Sequence, residues 1–447
     1  MVRSLHPAAS TQRRSPPKRI AVIGSGAAGL AASWALSRDH EVHLFEADDR
    51  LGGHAHTVDL ELDGAAVAVD TGFIVYNEHN YPCLTDAFER LGVRTEASDM
   101  SFSVSTGDGG FEYSGRWPGG VLSQKRNLLS PVYWAMLRDI GGFYGRAADD
   151  LAAIADEDLT LDDYIARCGF SAAFRDRHLL PMIAAIWSLP TAKAGDMPAA
   201  PVIRFFQAHG LLRIKNRPQW RTVSGGSRNY VARIIADSRA TVSTGCPVTE
   251  IRRGRDAVEI AVDGRGVRHF DHVVLATHAD QALRLLSDPT PAEARALAAF
   301  KYSANQVVLH GDPSLMPKRR SAWAAWNFIE IGDGHQGVTY WMNLLQNLET
   351  VGPLLVTLNP PREPDPAQVY GTFDYDHPIL GREAIAAQPA LDSIQGQCRT
   401  WFCGSYFGYG FHEDAFASGL AVADRLEAAE GAALEAGAGE GGHRAHG

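Results

Sequence analysis

Three glycines, Gly24, Gly26 and Gly29, with Ser25 and Ala28 between them and Glu46 placed 22 residues after the first, have the types and spacing to hold a dinucleotide. Gly24 permits a tight turn, Gly26 lets backbone N–H groups approach a pyrophosphate, and Gly29 allows a helix to pack against the strand before it. The N-terminus of that helix faces the anion. Glu46 is placed to accept hydrogen bonds from an adenosine ribose diol, and its charge disfavours the 2′-phosphate of NADP. Other chemistries find no support. The 17 histidines include no His-x-x-x-His pair with supporting carboxylates, so no metal is expected, and no Gly-x-Ser-x-Gly follows a strand.

The elements that must position these residues are legible on either side. Ile20, Ala21, Val22 and Ile23 form an apolar strand, Leu30 to Leu36 an Ala-rich helix, and His40 to Glu46 a second strand. Val67 to Tyr76 reads as a strand with a glycine break. From Cys83 to Leu212 the period is mostly helical, punctuated by Pro131, Pro181, Pro190 and Pro198. Val248 to Ile251 and Val258 to Val262 are short strands, and Asp271 to Thr277 is a second buried parallel strand before a helix starting near Asp280. Aromatic-rich strands fill the region from Ala304 to Asn359. The last unit is a strand ending at Gly404, a glycine-rich loop and an amphipathic helix.

A chain of 447 residues, 45% hydrophobic and 21% charged, is a folded protein of more than one core. Its net charge of −10 argues against nucleic acid as a partner. Five cysteines without metal or disulfide spacing suit a reduced, cytoplasmic setting, and Cys403 reads as a small buried side chain. Residues 1–18 read as a disordered basic leader and residues 427–447 as a low-complexity tail without structure. No apolar run reaches the length of a membrane span.

Past the acid, Arg50-x-Gly52-Gly53-His54-x-x-Thr57 resembles the second glycine signature of the FAD-binding amine oxidase and carotenoid desaturase superfamily. With Val69 to Asn77, Ala185 to Ser188, Pro218 to Ser227, Leu309-His310, Trp326-Asn327, Tyr340 to Asn343 and Gly410 to Asp414, residues 19–426 resemble the bacterial amine-oxidase-like flavoproteins associated with cyclopropane-fatty-acid-synthase-type enzymes. The resemblance implies FAD and an α/β fold: a Rossmann-like FAD-binding domain (19–82, 213–300 and 396–426) with an interleaved substrate domain (83–212 as a helical cap, 301–395 as a sheet). It also implies the cofactor contacts. Beyond the first motif these are Ala47, Arg50, Gly52, Gly53 and His54, backbone contacts of Val248 to the adenine, and Gly404 at the ribityl-pyrophosphate. Ser405 stands where the family carries an acid, and Phe411, His412 and Glu413 open the final helix at the flavin. The side chains of His412, Glu413 and Asp414 could instead cap that helix, the reading favoured for Asp414.

The expected activity is FAD-dependent oxidoreduction of an apolar acyl-chain substrate, by hydride transfer to the flavin. A redox-neutral double-bond isomerase and a non-catalytic, FAD-stapled component of a lipid-modifying complex stay open. His54 and His56, beside the flavin's reactive edge, and His412 are candidate acid–base groups, and Tyr76 a candidate for orienting substrate. His310, Trp326, Asn327, Tyr340 and Asn343 could line an apolar cavity or form a sheet core. Peripheral contact with the inner face of a membrane would suit such a substrate, with Val132 to Leu137 as the apolar candidate.

Overall fold

Ile20, Ala21 and Val22 have no solvent exposure because their strand, Arg19–Ile23, lies in the middle of a five-stranded parallel sheet. The strand order is Thr241–Ser243, Glu41–Phe45, Arg19–Ile23, His272–Leu275, Thr400–Phe402. The computed structural model describes residues 16–441 other than 63, 156, 214, 215 and 333, with side chains as far as residue 432. Ile23 is level with Leu275, and Leu275 with Phe402, so the loops leaving these three strands emerge side by side. Sheet register thus gathers segments hundreds of residues apart at one carboxyl edge, the place where open α/β sheets bind ligands.

The helix Ala27–Leu36 covers one face and packs against the final helix, His412–Gly441. A β-carbon on Gly419 would stand 2.1 Å from the Ala28 carbonyl oxygen, so glycine is what lets the two helices approach. That final helix corrects the expectation of an unstructured tail from residue 427. Ala- and Glu-rich sequence has high helix propensity, and tertiary partners hold its surface. Glu430 accepts from Lys18 Nζ and His272 Nε2, each at 2.9 Å, and Glu427 approaches His40 Nε2 at 2.8 Å. Lys18, the end of the predicted leader, is therefore held by the fold, while residues 1–15 and 442–447 lie outside the described residues.

A second, seven-stranded sheet runs Val369–Ile379, Lys301–His310, Leu355–Leu358, His335–Trp341, Trp326–Ile331, Phe102–Thr106, Phe111–Ser114. All its pairings are antiparallel except that of Trp326–Ile331 with Phe102–Thr106. The helical reading of residues 83–212 is thereby corrected at its start. Thr95–Ser98, Phe102–Thr106 and Phe111–Ser114 are strands, and the first two pair with segments more than 100 residues away, which no local window contains. From Pro131–Ile154 to Ala199–Ala208 the segment is helical, and Pro131 sits in the first turn of its helix, where a missing N–H costs nothing.

Candidate active site

The first glycine loop has the stereochemistry its sequence requires. Gly24 has φ +98°, and a β-carbon there would lie 2.8 Å from the Ala276 carbonyl oxygen. At Gly29 the same carbon would stand 1.8 Å from the Gly24 carbonyl oxygen. At Gly26 nothing lies within 4 Å, leaving space for a group to approach the backbone. Glu46 Oε2 accepts from the N–H and Oγ of Ser25 at 2.8 and 2.6 Å, and Oε1 accepts from the N–H of Asp48. Lone pairs remain on both oxygens for a diol. Ala47 is exposed beside it, and Val248 is half-buried at the start of its strand.

The other glycine segments meet this loop. Gly52 N–H donates to the Ser25 carbonyl, a β-carbon on Gly53 would lie 3.1 Å from Gly26 Cα, and Arg50 Nη1 donates to the Gly53 carbonyl at 2.6 Å. Across the sheet, Thr277 touches both Gly24 and Gly404 positions, and Gly404 N–H donates to Ser418 Oγ. Ser405 opens a short turn whose carbonyl accepts from Gly408 and Gly410 N–H. The segments at Gly26, Gly53 and Gly404 thus converge on one cradle. Its backbone at Gly26, open to a close-lying group, fits the pyrophosphate of FAD.

Beyond the cradle, His54 is the centre of a group of aromatic and imidazole rings. Tyr375, His377 and His278 have ring centroids 5.0, 5.4 and 6.2 Å from it. His54 Nε2 is buried and has no hydrogen-bond partner among the described residues. Burial, helped by the neighbouring imidazoles, pushes His54 well below the usual histidine value; burial also lowers His278 and brings His377 to about 4. Each is a neutral ring at pH 7. His56 Nδ1 lies 2.8 Å from Tyr375 Oη, which is also 2.8 Å from Thr71 Oγ1, and burial holds His56 at about 4. His278, His377 and Tyr375 were missed from sequence. Tyr375 and His377 reach His54 from the strand Val369–Ile379 and His278 from the start of the helix Ala279–Leu285, and only the fold shows the meeting.

Asp70 was also missed. Its buried carboxylate accepts from Thr57 Oγ1 and from Ser227 N–H and Oγ, while Gln346 donates to it and accepts its N–H. Burial outweighs these bonds and raises Asp70 to about 6. The network ties the base of the hairpin Thr57–Leu62/Ala65–Asp70, next to His54 and Gly72, to the Gly225-Gly226 turn.

At the start of the final helix, His412 stacks on Phe73 at 3.8 Å with its Nε2 2.6 Å from Tyr230 Oη, and burial lowers it to about 3. Asp414 accepts from the N–H groups of Tyr409 and Phe411, the capping role favoured from sequence. One side-chain expectation is corrected here. The carboxylate of Glu413 accepts from Cys83 and Leu84 N–H, capping the helix Pro82–Leu91, because that helix has no capping side chain of its own. Phe411 stacks on Phe205 of the cap at 4.8 Å.

Tyr76 is likewise corrected. It is 2% exposed and packs edge-on against Tyr81 and Phe88, the usual fate of a strand tyrosine facing a helix.

Four of the five expected substrate contacts separate by sheet face, since neighbours along a strand point oppositely, and Asn343 lies in the short helix Met342–Leu345. His310, Asn327 and Asn343 are corrected to internal roles. His310 Nδ1 accepts from Asp312 N–H, so Nε2 donates to Thr357 Oγ1, which bonds Thr339. Asn327 bonds Ser103, Ala324 and Thr339, and Asn343 bonds Trp341, Leu348 and Leu354. Polar side chains so satisfied are structural. Trp326 and Tyr340 occupy the opposite face as an edge-to-face pair at 4.8 Å, and Trp326 Nε1 is buried without a partner. In the next rung Phe373, Val307, Leu358, Val338 and Phe328 stand opposite one another across five strands. Leu358, Val338 and Phe328 floor a cavity of about 240 Å³, walled by Ala184, Leu189 and Pro190 of the cap.

Comparison with known proteins agrees with this architecture. The sequence profile of the family described as flavin containing amine oxidoreductase matches residues 27–356. The flavin-dependent L-tryptophan oxidase RebO of Lentzea aerocolonigenes is 26% identical over 281 residues, 58% of this chain and 57% of that protein. The chain spans between a tenth and just over half the length of the curated relatives it matches. A CLA-producing fatty acid isomerase from P. acnes shares the fold with a TM-score of 0.62 at 17% identity, over 92% of this chain and 99% of that one. Wild-type putrescine oxidase bound to putrescine does so with a TM-score of 0.64 at 16% identity, over 92% and 99%. The matched profile shows that this chain belongs to the flavin containing amine oxidoreductase family, and the glycine cradle fits that family's flavin.

Proposed function

We propose that the substrate is an apolar acyl chain, dehydrogenated over the flavin, with His54 Nε2 taking the proton. The observation that carries this reading is the lining of the 240 Å³ cavity: six apolar side chains, with Ser188, Gln336 and Asn359 as its polar ones and no charged residue. An amine is a cation at neutral pH and entering this space unpaired would be costly, whereas a hydrocarbon gains by leaving water. The sheet face that floors the cavity carries Val307, Phe373 and then Tyr375, the ring beside His54, and on this reading the chain is directed along that face toward the histidine group.

FAD, when bound, supplies the hydride acceptor. The polypeptide supplies the remainder. Trp326 Nε1, buried without a partner, would donate to a polar end of the substrate, and the neutral imidazole of His54 would receive the proton that leaves as the double bond forms. The same face and base would serve a redox-neutral shift of a double bond, as in the fatty acid isomerase of similar fold.

Anaerobic mixing of the FAD-loaded protein with fatty acids and phospholipids tests the reading. Bleaching of the flavin absorbance by an acyl lipid is expected, and a product with a moved double bond and no net reduction would select isomerisation. Bleaching by amines or amino acids, with none by acyl lipids, would refute it.

A further inference from the structure

Trp117, Leu122, Leu129, Val132 and Trp134 are five of the nine large apolar side chains most exposed among the described residues, and they fall within one short stretch. Trp117 is 78% exposed and Leu129 89%. Single exposed apolar residues are ordinary, whereas a cluster of them marks a contact surface. The stretch is one compact surface rather than a string. Tyr133 Oη donates to the Val121 carbonyl and Trp134 Nε1 to the Leu128 carbonyl, which fasten the loop and the turn Lys125–Leu129 to the start of the helix Pro131–Ile154.

The charge of this surface opposes that of the chain. Between Glu112 and Asp139 there are four basic residues, Arg116, Lys125, Arg126 and Arg138, and no acidic one, in a protein of net charge −10. Arg138 is paired with Asp139, but among the described residues no carboxylate lies within ion-pair distance of Arg116, Lys125 or Arg126. Exposed tryptophan and leucine beside unpaired cations suit a surface that is apolar beneath and anionic on top.

We infer that residues 116–134 dock the protein on an anionic phospholipid bilayer, with Trp117, Leu129 and Trp134 entering the headgroup boundary and Arg116, Lys125 and Arg126 meeting lipid phosphates. No helix among the described residues is long and apolar enough to cross a membrane, so the contact is peripheral. The buried side of this surface, Tyr133 and Met136, belongs to the same apolar cluster as Ala184, Phe328 and Val338 of the cavity wall. Docking there would bring the cap to the lipid, yet it does not depend on the substrate assigned above, because vesicle binding is read without turnover.

The test is co-sedimentation of the FAD-loaded full chain with vesicles of phosphatidylcholine alone and of phosphatidylcholine with phosphatidylglycerol. Binding at least tenfold stronger to the anionic vesicles, weakened by salt, is expected. The exchange W117S/L129S should cut the bound fraction at least fivefold and K125E/R126E should abolish the anionic preference, both with unchanged flavin absorbance and melting temperature. Quenching of wild-type tryptophan emission by brominated lipid gives a second reading that needs no variant. Equal binding to both vesicles, undiminished binding of W117S/L129S, or absence of binding and quenching together with a dimer that W117S/L129S dissociates would each overturn the inference, the last in favour of a second copy of this chain.

Discussion

His54 combines burial, neutrality and an unpaired Nε2 beside the glycine cradle, a state that costs stability unless a ligand or proton completes it. Its replacement by glutamine should slow flavin reduction about 100-fold, the ordinary contribution of a positioned base, while FAD content stays at the wild-type level. Stopped-flow absorbance on the anaerobic protein measures this, and a wild-type rate would remove His54 from the proton's path. Glu413 makes the opposite prediction. Because its carboxylate caps the helix Pro82–Leu91, Glu413→Gln should lower unfolding stability by about 1 kcal/mol without changing FAD affinity. Weakened FAD binding at unchanged stability would return Glu413 to the cofactor.

Among elements, the final helix does two jobs. Its first turn presents Asp414 to the loop before it and His412 to Phe73 and Tyr230, and its far half clamps the parallel sheet through Glu430, to Lys18 before the strand Arg19–Ile23 and to His272 of the strand His272–Leu275. Both bonds are partly shielded from solvent, so Glu430→Gln should cost about 1 kcal/mol, read as a lower urea midpoint with an unaltered flavin spectrum. A midpoint equal to wild type would mean that the Ala-rich turns hold by propensity alone.

For the whole molecule, pH dependence follows from histidines. Burial holds His56, His209, His310 and His377 at about 4 and His178 and His412 at about 3, with His54 also well depressed. An unfolded chain binds those protons near pH 6.5, so the stability they allow is complete above about 6.5 and is lost as pH falls toward the folded values. Asp70 and Asp414, raised to about 6, act oppositely between that pH and the normal aspartate value, but they are outnumbered. Urea midpoints should therefore fall from pH 7.5 to 5.5, with proton uptake on unfolding. A midpoint that rises on acidification would contradict the burial of these rings.

Much of this was legible in the chain itself, and the rest was not, for a reason of range. Gly24, Gly29 and the apolar run Ile20 to Ile23 obey steric and hydration rules that act within a few residues, so the strand–turn–helix and the buried parallel strands could be read before any fold was known, while the segments at Gly53 and Gly404 were read from the family resemblance. What a polar side chain touches is a different matter. The Glu413 side chain, read as able to cap its own helix, caps one more than 300 residues away, and His310 and Asn327, left open between cavity wall and sheet core, proved to be internal bonds of a sheet. Periodicity states which face a residue occupies, whereas its hydrogen-bond partner is chosen by strand register and packing across the whole molecule. That is why the cradle belonged to the sequence, and the ring of His278, Tyr375 and His377 around His54 to the tertiary structure.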